Sequence, residues 1–340
     1  MTATRKPLTR LGPALIPLLL AAVGARAQPS PAGIATLADY GAPDGYYVFY
    51  PSDYAPADTL QLAVFLHGYG GLNPLSYGAW LRTLVEAGSV VVYPRYQRNL
   101  FLTPSRRFVR HTRAGIRASL ARIAAAGLPV DTSRALYIGH SYGGTIAAHL
   151  MARSVAYGLP RPVGGLLAAP GTSKLRGARL ESYAEIPPEV PLILVTHRSD
   201  RVVGSELARL IHASAPPSGS RVLLEQRACA PADGPRIGDG HNECYAIDEG
   251  FDSRYRNYTT RRARRIASVD AVDTLLYWPL TRALVAYGRT GTPPPLLRER
   301  PRYLSLGVPG LDSATAPVLA RYADPAATSP PDSLSTASSR

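Results

Sequence analysis

From about residue 45 onward, short apolar runs alternate with stretches of helical periodicity. Tyr46–Tyr50, Gln61–Leu66 (QLAVFL), Ser89–Tyr93 (SVVVY), Arg134–Ile138 (RALYI), Val163–Ala168, Leu192–Thr196 (LILVT) and Arg221–Glu225 read as strands, most of them bounded by Gly, Pro or Ser. Between them, residues 74–87, 105–126, 142–158, 202–214 and 267–288 read as helices. A strand that is apolar at every position is covered on both faces. Strands alternating with helices at this spacing predict an α/β fold with a mostly parallel sheet and helices on both sides. The link from Val163–Ala168 to Leu192–Thr196 is only about 20 residues, too short for a large cap domain.

One of these strands runs into a motif. Residues 134–146 read RALYIGHSYGGTI, so Gly139-His140-Ser141-Tyr142-Gly143 is a G-x-S-x-G pattern between a predicted strand and a predicted helix. Strand, sharp turn and helix are the context this motif needs to expose a serine oxygen. The turn strains the serine backbone, and flanking glycines remove side chains that would clash. Ser141 then sits at the positive end of the following helix. A serine in such a turn without chemistry is the plain alternative. On these residues the chain resembles the α/β-hydrolase superfamily.

That resemblance implies two backbone donors for an oxyanion, one from the residue after the serine and one from the loop after an early strand. Tyr142 is the first. The second loop is present as His67-Gly68-Tyr69-Gly70-Gly71, directly after Gln61–Leu66, and the resemblance points to the Tyr69 N–H. The spacing lacks the G-K-[ST] of a phosphate loop and the G-x-G-x-x-G of a dinucleotide site. The superfamily order is serine, acid, histidine. Asp200 follows strand Leu192–Thr196 and is the expected acid, with Glu181 and Glu185 in reserve; Asp200 also suits a helix-capping role ahead of 202–214. Of the histidines beyond it, His241 lies in the long loop 227–246, where a base belongs, whereas His212 falls inside a helical pattern. His140 reads as a variable position of the motif, and His67 as packing under its loop. Tyr69, Tyr93, Tyr96 and Tyr142 lie near strand ends, where a pocket would form.

The resemblance covers residues 45–288, and residues 64–97 are similar to secreted bacterial hydrolases of the chlorophyllase, cutinase and dienelactone-hydrolase-like group. It implies a serine esterase with Ser141 as nucleophile, His241 as base and Asp200 as its orienting acid, needing no metal or organic cofactor. An amidase or peptidase using the same residues, and a catalytically silent binding protein of this fold, are the alternatives.

The N-terminus adds a location. Arg5, Lys6 and Arg10 precede the apolar stretch Leu11–Gly24, and Ala25-Arg26-Ala27 offers small residues where a signal peptidase reads, so 1–27 is expected to be a signal peptide of a secreted or periplasmic protein. Its removal takes four basic residues and no acids, lowering the formal charge from +14 to +10. Residues 28–289 are then the hydrolase domain, and the Pro/Ser-rich 290–340 a peripheral or disordered tail. In an oxidising compartment the two cysteines, Cys229 and Cys244, are expected to pair. Their bridge would close a loop of about 16 residues around His241, worth roughly 3 kcal/mol in the chain-entropy reading.

Composition changes the picture least. All but two of the 38 basic residues are arginine, a skew that reflects genome composition as readily as a polyanionic partner. Arg106, Arg110, Arg113 and Arg117 share one helix face, which suits either solvent or weak electrostatic docking to an anionic surface. No nucleic-acid-binding module accompanies the arginines, and past the leader no apolar run is long enough to span a membrane. The expected partner is a small or polymeric ester.

Overall fold

The computed structural model describes residues 33–40, 44–55, 59–217, 221–230 and 236–292, with the backbone of 303–305 and 318–321. Ten strands among them form one sheet: β1 (Ile34–Asp39), β2 (Tyr46–Pro51), β3 (Gln61–Leu66), β4 (Ser89–Pro94), β5 (Arg134–His140), β6 (Arg161–Ala168), β7 (Leu192–His197), β8 (Arg221–Gln226), β9 (Tyr303–Ser305) and β10 (Val318–Arg321). Their spatial order is β1-β2-β4-β3-β5-β6-β7-β8-β10-β9. The run from β4 to β8 is parallel throughout. Antiparallel strands finish both edges, β1 and β2 on one side, β10 and β9 on the other.

Among the described residues six α-helices cover the sheet: α1 (Gly78–Glu86), α2 (Phe108–Ala125), α3 (Tyr142–Tyr157), α4 (Glu206–Ser214), α5 (Tyr258–Ile266) and α6 (Trp278–Thr290). β3 shows why both faces must be covered. All six of its residues are buried. Leu62, Val64 and Leu66 join a core built with α2, α3 and α4. Ala63 and Phe65 join a second core with α1, α5 and α6. The period-two alternation of a strand thus divides one apolar run between two cores.

Several elements depart from the sequence reading: β1 lies outside the expected strands, β9 and β10 add tail residues to the sheet edge where a peripheral or disordered segment is expected, and two helices differ. The segment 267–288 does not form one helix: a π-helical turn at Asp273–Tyr277 leads into α6, which begins at Trp278. Pro279 has no N–H to give and its ring crowds the carbonyl four residues back, so the turn before it widens. α5 is a helix that periodicity missed, because YTTRRARRI buries only Thr259, Thr260 and Ala263. Asn257 starts it by accepting the Thr260 N–H at 2.8 Å.

The link from β6 to β7 carries no helix, in keeping with the absence of a large cap. The leader 1–27 and most of the tail 290–340 lie outside the described residues. No helix among the described residues is long and apolar enough to cross a membrane.

Candidate active site

The carboxyl ends of the parallel strands converge on Ser141. It is the single residue between β5 and α3, with φ 56° and ψ −124°. A non-glycine residue held there costs on the order of 1–3 kcal/mol. The turn is tight because Gly139 and Gly143 have no side chain. A Cβ on Gly143 would lie 2.0 Å from the Leu66 carbonyl oxygen, and one on Gly139 would lie 2.6 Å from the Gly143 backbone.

Ser141 Oγ is 2.8 Å from His241 Nε2, and His241 Nδ1 is 2.7 Å from Asp200 Oδ2. A carboxylate only accepts, so Nδ1–H donates to Asp200 and Nε2 is left to accept the serine proton. The other Asp200 oxygen accepts the N–H groups of Val202 at 2.8 Å and Val203 at 3.1 Å. Burial alone would raise the Asp200 pKa. The bonds and charge from His241 and the two N–H groups outweigh it, and the carboxyl lies below its ordinary value. Asp200 does not cap a helix over 202–214, because α4 starts later, at Glu206, after Ser205. His212 lies within α4. Glu185 pairs with Arg153, and Glu181 lines a surface cavity beside the β6–β7 link.

Residues 67–71 run alongside the serine: a Cβ on Gly68 would lie 3.4 Å from Ser141 Cβ. The Gly68 N–H donates to Tyr77 Oη, that of Gly70 to Gln97 Oε1 and that of Gly71 to the Gly68 carbonyl. The Tyr69 N–H has no acceptor among the described residues. The Tyr142 N–H is the first of α3 and so has no acceptor within its helix. Tyr93, Tyr96 and Tyr142, expected near a pocket, have fully buried rings. Tyr93 Oη donates to the Gly71 carbonyl and Tyr96 Oη to that of His67, at 2.5 Å for the latter. These rings prop the loop from beneath rather than line a cleft. His67 is stacked between Tyr93 and Tyr96, and burial pushes its pKa down to about 3.

Two residues that sequence reading passed over connect these parts. His140 Nε2 lies 2.8 Å from the His241 carbonyl oxygen, which can only accept, so Nε2 carries the proton. Nδ1 then accepts from Tyr77 Oη at 2.9 Å, and Tyr77 Oη accepts from Gly68 N–H at 2.8 Å. Burial first, then the neighbouring His241 charge, hold the His140 imidazole well below its ordinary pKa, which keeps it neutral. One relay therefore ties the loop holding Tyr69, the serine turn and the His241 backbone together. No local signal marks it, since Tyr77 and His140 are 63 residues apart.

The His241 loop is closed without a disulfide. Cys229 and Cys244 are free thiols, which corrects the expected bridge. Cys229 pairs instead through its backbone with Ile237, by bonds of 3.1 and 2.9 Å, while Cys244 is buried in the core. Burial raises the pKa of both thiols, so neither favours the thiolate that disulfide exchange requires. Gln226 Nε2 donates to the Gly238 carbonyl at 2.7 Å, and the Gly240 N–H donates to Glu243 Oε1 at 2.7 Å. The arginine face of α2 is partly committed too: Arg113 stacks 3.7 Å from the Tyr157 ring and Arg117 bonds the Tyr157 carbonyl.

A family model described as alpha/beta hydrolase fold matches residues 63–201, a span that includes the Tyr69 loop, Ser141 and Asp200 and ends before His241. No curated protein matches the chain. Strand order, the strained serine between β5 and α3, and this match lead to one conclusion: the chain has an α/β-hydrolase fold.

Proposed function

We propose that this protein is an exported serine hydrolase that cleaves carboxylic esters through an acyl-enzyme. The observation that carries the reading is the continuous contact Ser141 Oγ–His241 Nε2–His241 Nδ1–Asp200 Oδ2, at 2.8 and 2.7 Å, on a strained strand-to-helix turn. Ser141 Oγ attacks the ester carbonyl carbon as its proton passes to His241 Nε2. Asp200 stabilises the imidazolium and fixes its orientation. The uncommitted N–H groups of Tyr69 and Tyr142 receive the oxyanion. Collapse expels the alcohol, which takes the proton back from His241. Water then attacks the acyl-enzyme, giving its proton to His241; the acyl–Oγ bond breaks, His241 returns that proton to Ser141 Oγ, and the acid leaves. The helix-free β6–β7 link supports an open site suited to small or protruding esters. Export rests on the leader, and the resemblance of residues 64–97 to secreted hydrolases of the chlorophyllase, cutinase and dienelactone-hydrolase-like group points the same way.

Fluorophosphonate labelling with peptide mapping tests the reading. The expected result is a stoichiometric adduct on Ser141, abolished by His241→Ala and retained with His212→Ala. A folded sample that takes no adduct overturns it.

A further inference from the structure

We propose that the rim on the Tyr69–Tyr142 side of the site docks on the surface of an anionic lipid aggregate. Two loops build this rim. Residues 98–107 carry Phe101, 90% exposed, and Leu102, 73% exposed, the two most exposed large apolar side chains of the loop. The tip is built to present them. Asn99 Oδ1 accepts the N–H groups of Phe101 at 3.0 Å and Leu102 at 2.7 Å, and the Arg98 N–H donates to Thr103 Oγ1 at 3.2 Å. From below, Tyr255 Oη donates to the Arg98 carbonyl at 3.1 Å and Tyr69 Oη donates to that of Leu100. The apolar tip is thus held by Tyr69, whose own N–H has no acceptor among the described residues.

Residues 172–180 form the second loop, and it touches the first. Tyr142 Oη donates to the Arg176 carbonyl at 3.0 Å with the Ser105 carbonyl at 3.5 Å, and a Cβ on Gly177 would lie 2.5 Å from Arg106 Cα. Across both loops there are six cations, Arg98, Arg106, Arg107, Lys174, Arg176 and Arg179, and no Asp or Glu. All six are exposed, and none forms an ion pair among the described residues. The second loop also walls a surface cavity of about 670 Å³ whose lining includes Leu175, Leu180 and Leu210 together with Glu181, the acid directly after the loop.

Unpaired cations around projecting apolar side chains match an interface that is anionic at its surface and apolar beneath it. A hydrophilic polyanion would satisfy the charges but leave Phe101 and Leu102 in water. The arginine face of α2 is a weaker candidate, because Arg113 and Arg117 already bind Tyr157.

Cosedimentation of the full chain with phosphatidylcholine vesicles, and with vesicles that also contain phosphatidylglycerol, tests the proposal. Binding to the anionic vesicles is expected to exceed that to the neutral ones by at least about tenfold and to weaken with added salt. Phe101→Ser with Leu102→Ser is expected to reduce it by at least about tenfold, with hydrolysis of a short soluble ester unchanged. Arg106→Gln and Arg107→Gln are each expected to reduce it about fivefold. Wild-type binding no tighter to anionic than to neutral vesicles overturns the proposal. So does full retention of binding by the Phe101/Leu102 variant, or capture by soluble polygalacturonate without vesicle binding. No turnover is read in the binding assay, so failure of the esterase reading leaves this result standing.

Discussion

Replacing Tyr77 with Phe removes one oxygen atom and keeps a ring that packs 5.1 Å from Phe65 and 5.2 Å from Tyr245. The Gly68 N–H loses its acceptor and His140 Nδ1 loses its donor. Both groups are buried. An unsatisfied buried polar group costs about 1–3 kcal/mol, so the pair costs about 2–4 kcal/mol after partial relaxation. Against a typical domain stability of about 5–15 kcal/mol, the variant stays folded. The loss in rate comes from the next residue. Gly68 freed from Tyr77 no longer fixes the direction of the Tyr69 N–H, and an oxyanion donor is worth about 2.7–4 kcal/mol when fully removed. Partial misplacement should lower kcat by about 10- to 100-fold and leave KM nearly unchanged. Because burial holds His140 neutral above its ordinary pKa, the deficit should be the same at about pH 7 and pH 8. Urea unfolding, ester kinetics and the rate of fluorophosphonate inactivation measure the three quantities. A variant with stability within about 0.5 kcal/mol of wild type and kcat within about twofold would refute the relay as a positioning device.

Two further predictions probe the scaffold. The Asp273 carboxyl is pushed up to about 8, chiefly by burial and further by the Asp270 and Glu243 charges, against the bond it accepts from the Asp270 N–H. The native state therefore holds a proton that the unfolded chain releases above its ordinary value of 3.8, so stability falls as pH rises from there to about 8. Asp273→Asn removes the charge, and its gain in melting temperature should be larger at pH 8 than at pH 5, by the equivalent of up to about 3–5 kcal/mol; equal gains at both pH values contradict the argument. Gly143→Ala puts a Cβ 2.0 Å from the Leu66 carbonyl and 2.3 Å from that of His67, both backbone atoms that cannot swing aside. It should cost at least about 3 kcal/mol by thermal melting, with loss of labelling at Ser141, and an unaltered melting curve would show that the turn has room.

The sequence carried the frame of the sheet and the members of the candidate site for the same reason. Each depends on short-range pattern: an apolar run before a G-x-S-x-G turn, a glycine loop after β3, an acid after β7, a histidine in the loop after β8. What it did not carry depends on pairing across long separations. The relay from Gly68 through Tyr77 and His140 to His241 uses residues that look ordinary in their own neighbourhoods. The Tyr93 and Tyr96 hydroxyls act on a loop more than 20 residues away. β1 hid in a Pro/Ala/Gly-rich stretch because it is an edge strand whose Thr36, Leu37 and Ala38 are only partly covered or exposed. The cysteine pair misled, because export favours pairing in general but says nothing about which way a particular thiol points.

The strain at Ser141 explains why these distant bonds matter. A serine at φ 56° relaxes unless its surroundings over-determine it. Here three backbone bonds do so. The Ser141 N–H donates to the Ala168 carbonyl at 2.9 Å, and the Ser141 carbonyl accepts from Gly171 at 3.2 Å and from Thr145 at 3.1 Å. Two of the three come from the end of β6 and the link after it, so the turn between β5 and α3 is fixed by its neighbour strand as well as by its own glycines. The same logic extends outward. Asp200 is fixed by the turn it closes, His241 by a carbonyl bond to His140, and the Tyr69 loop by tyrosines beneath it. Apart from the Tyr142 N–H at the start of α3, the chemistry-bearing groups lie on loops, yet each loop is bound to a strand end or to another loop by buried hydrogen bonds, which fixes their geometry.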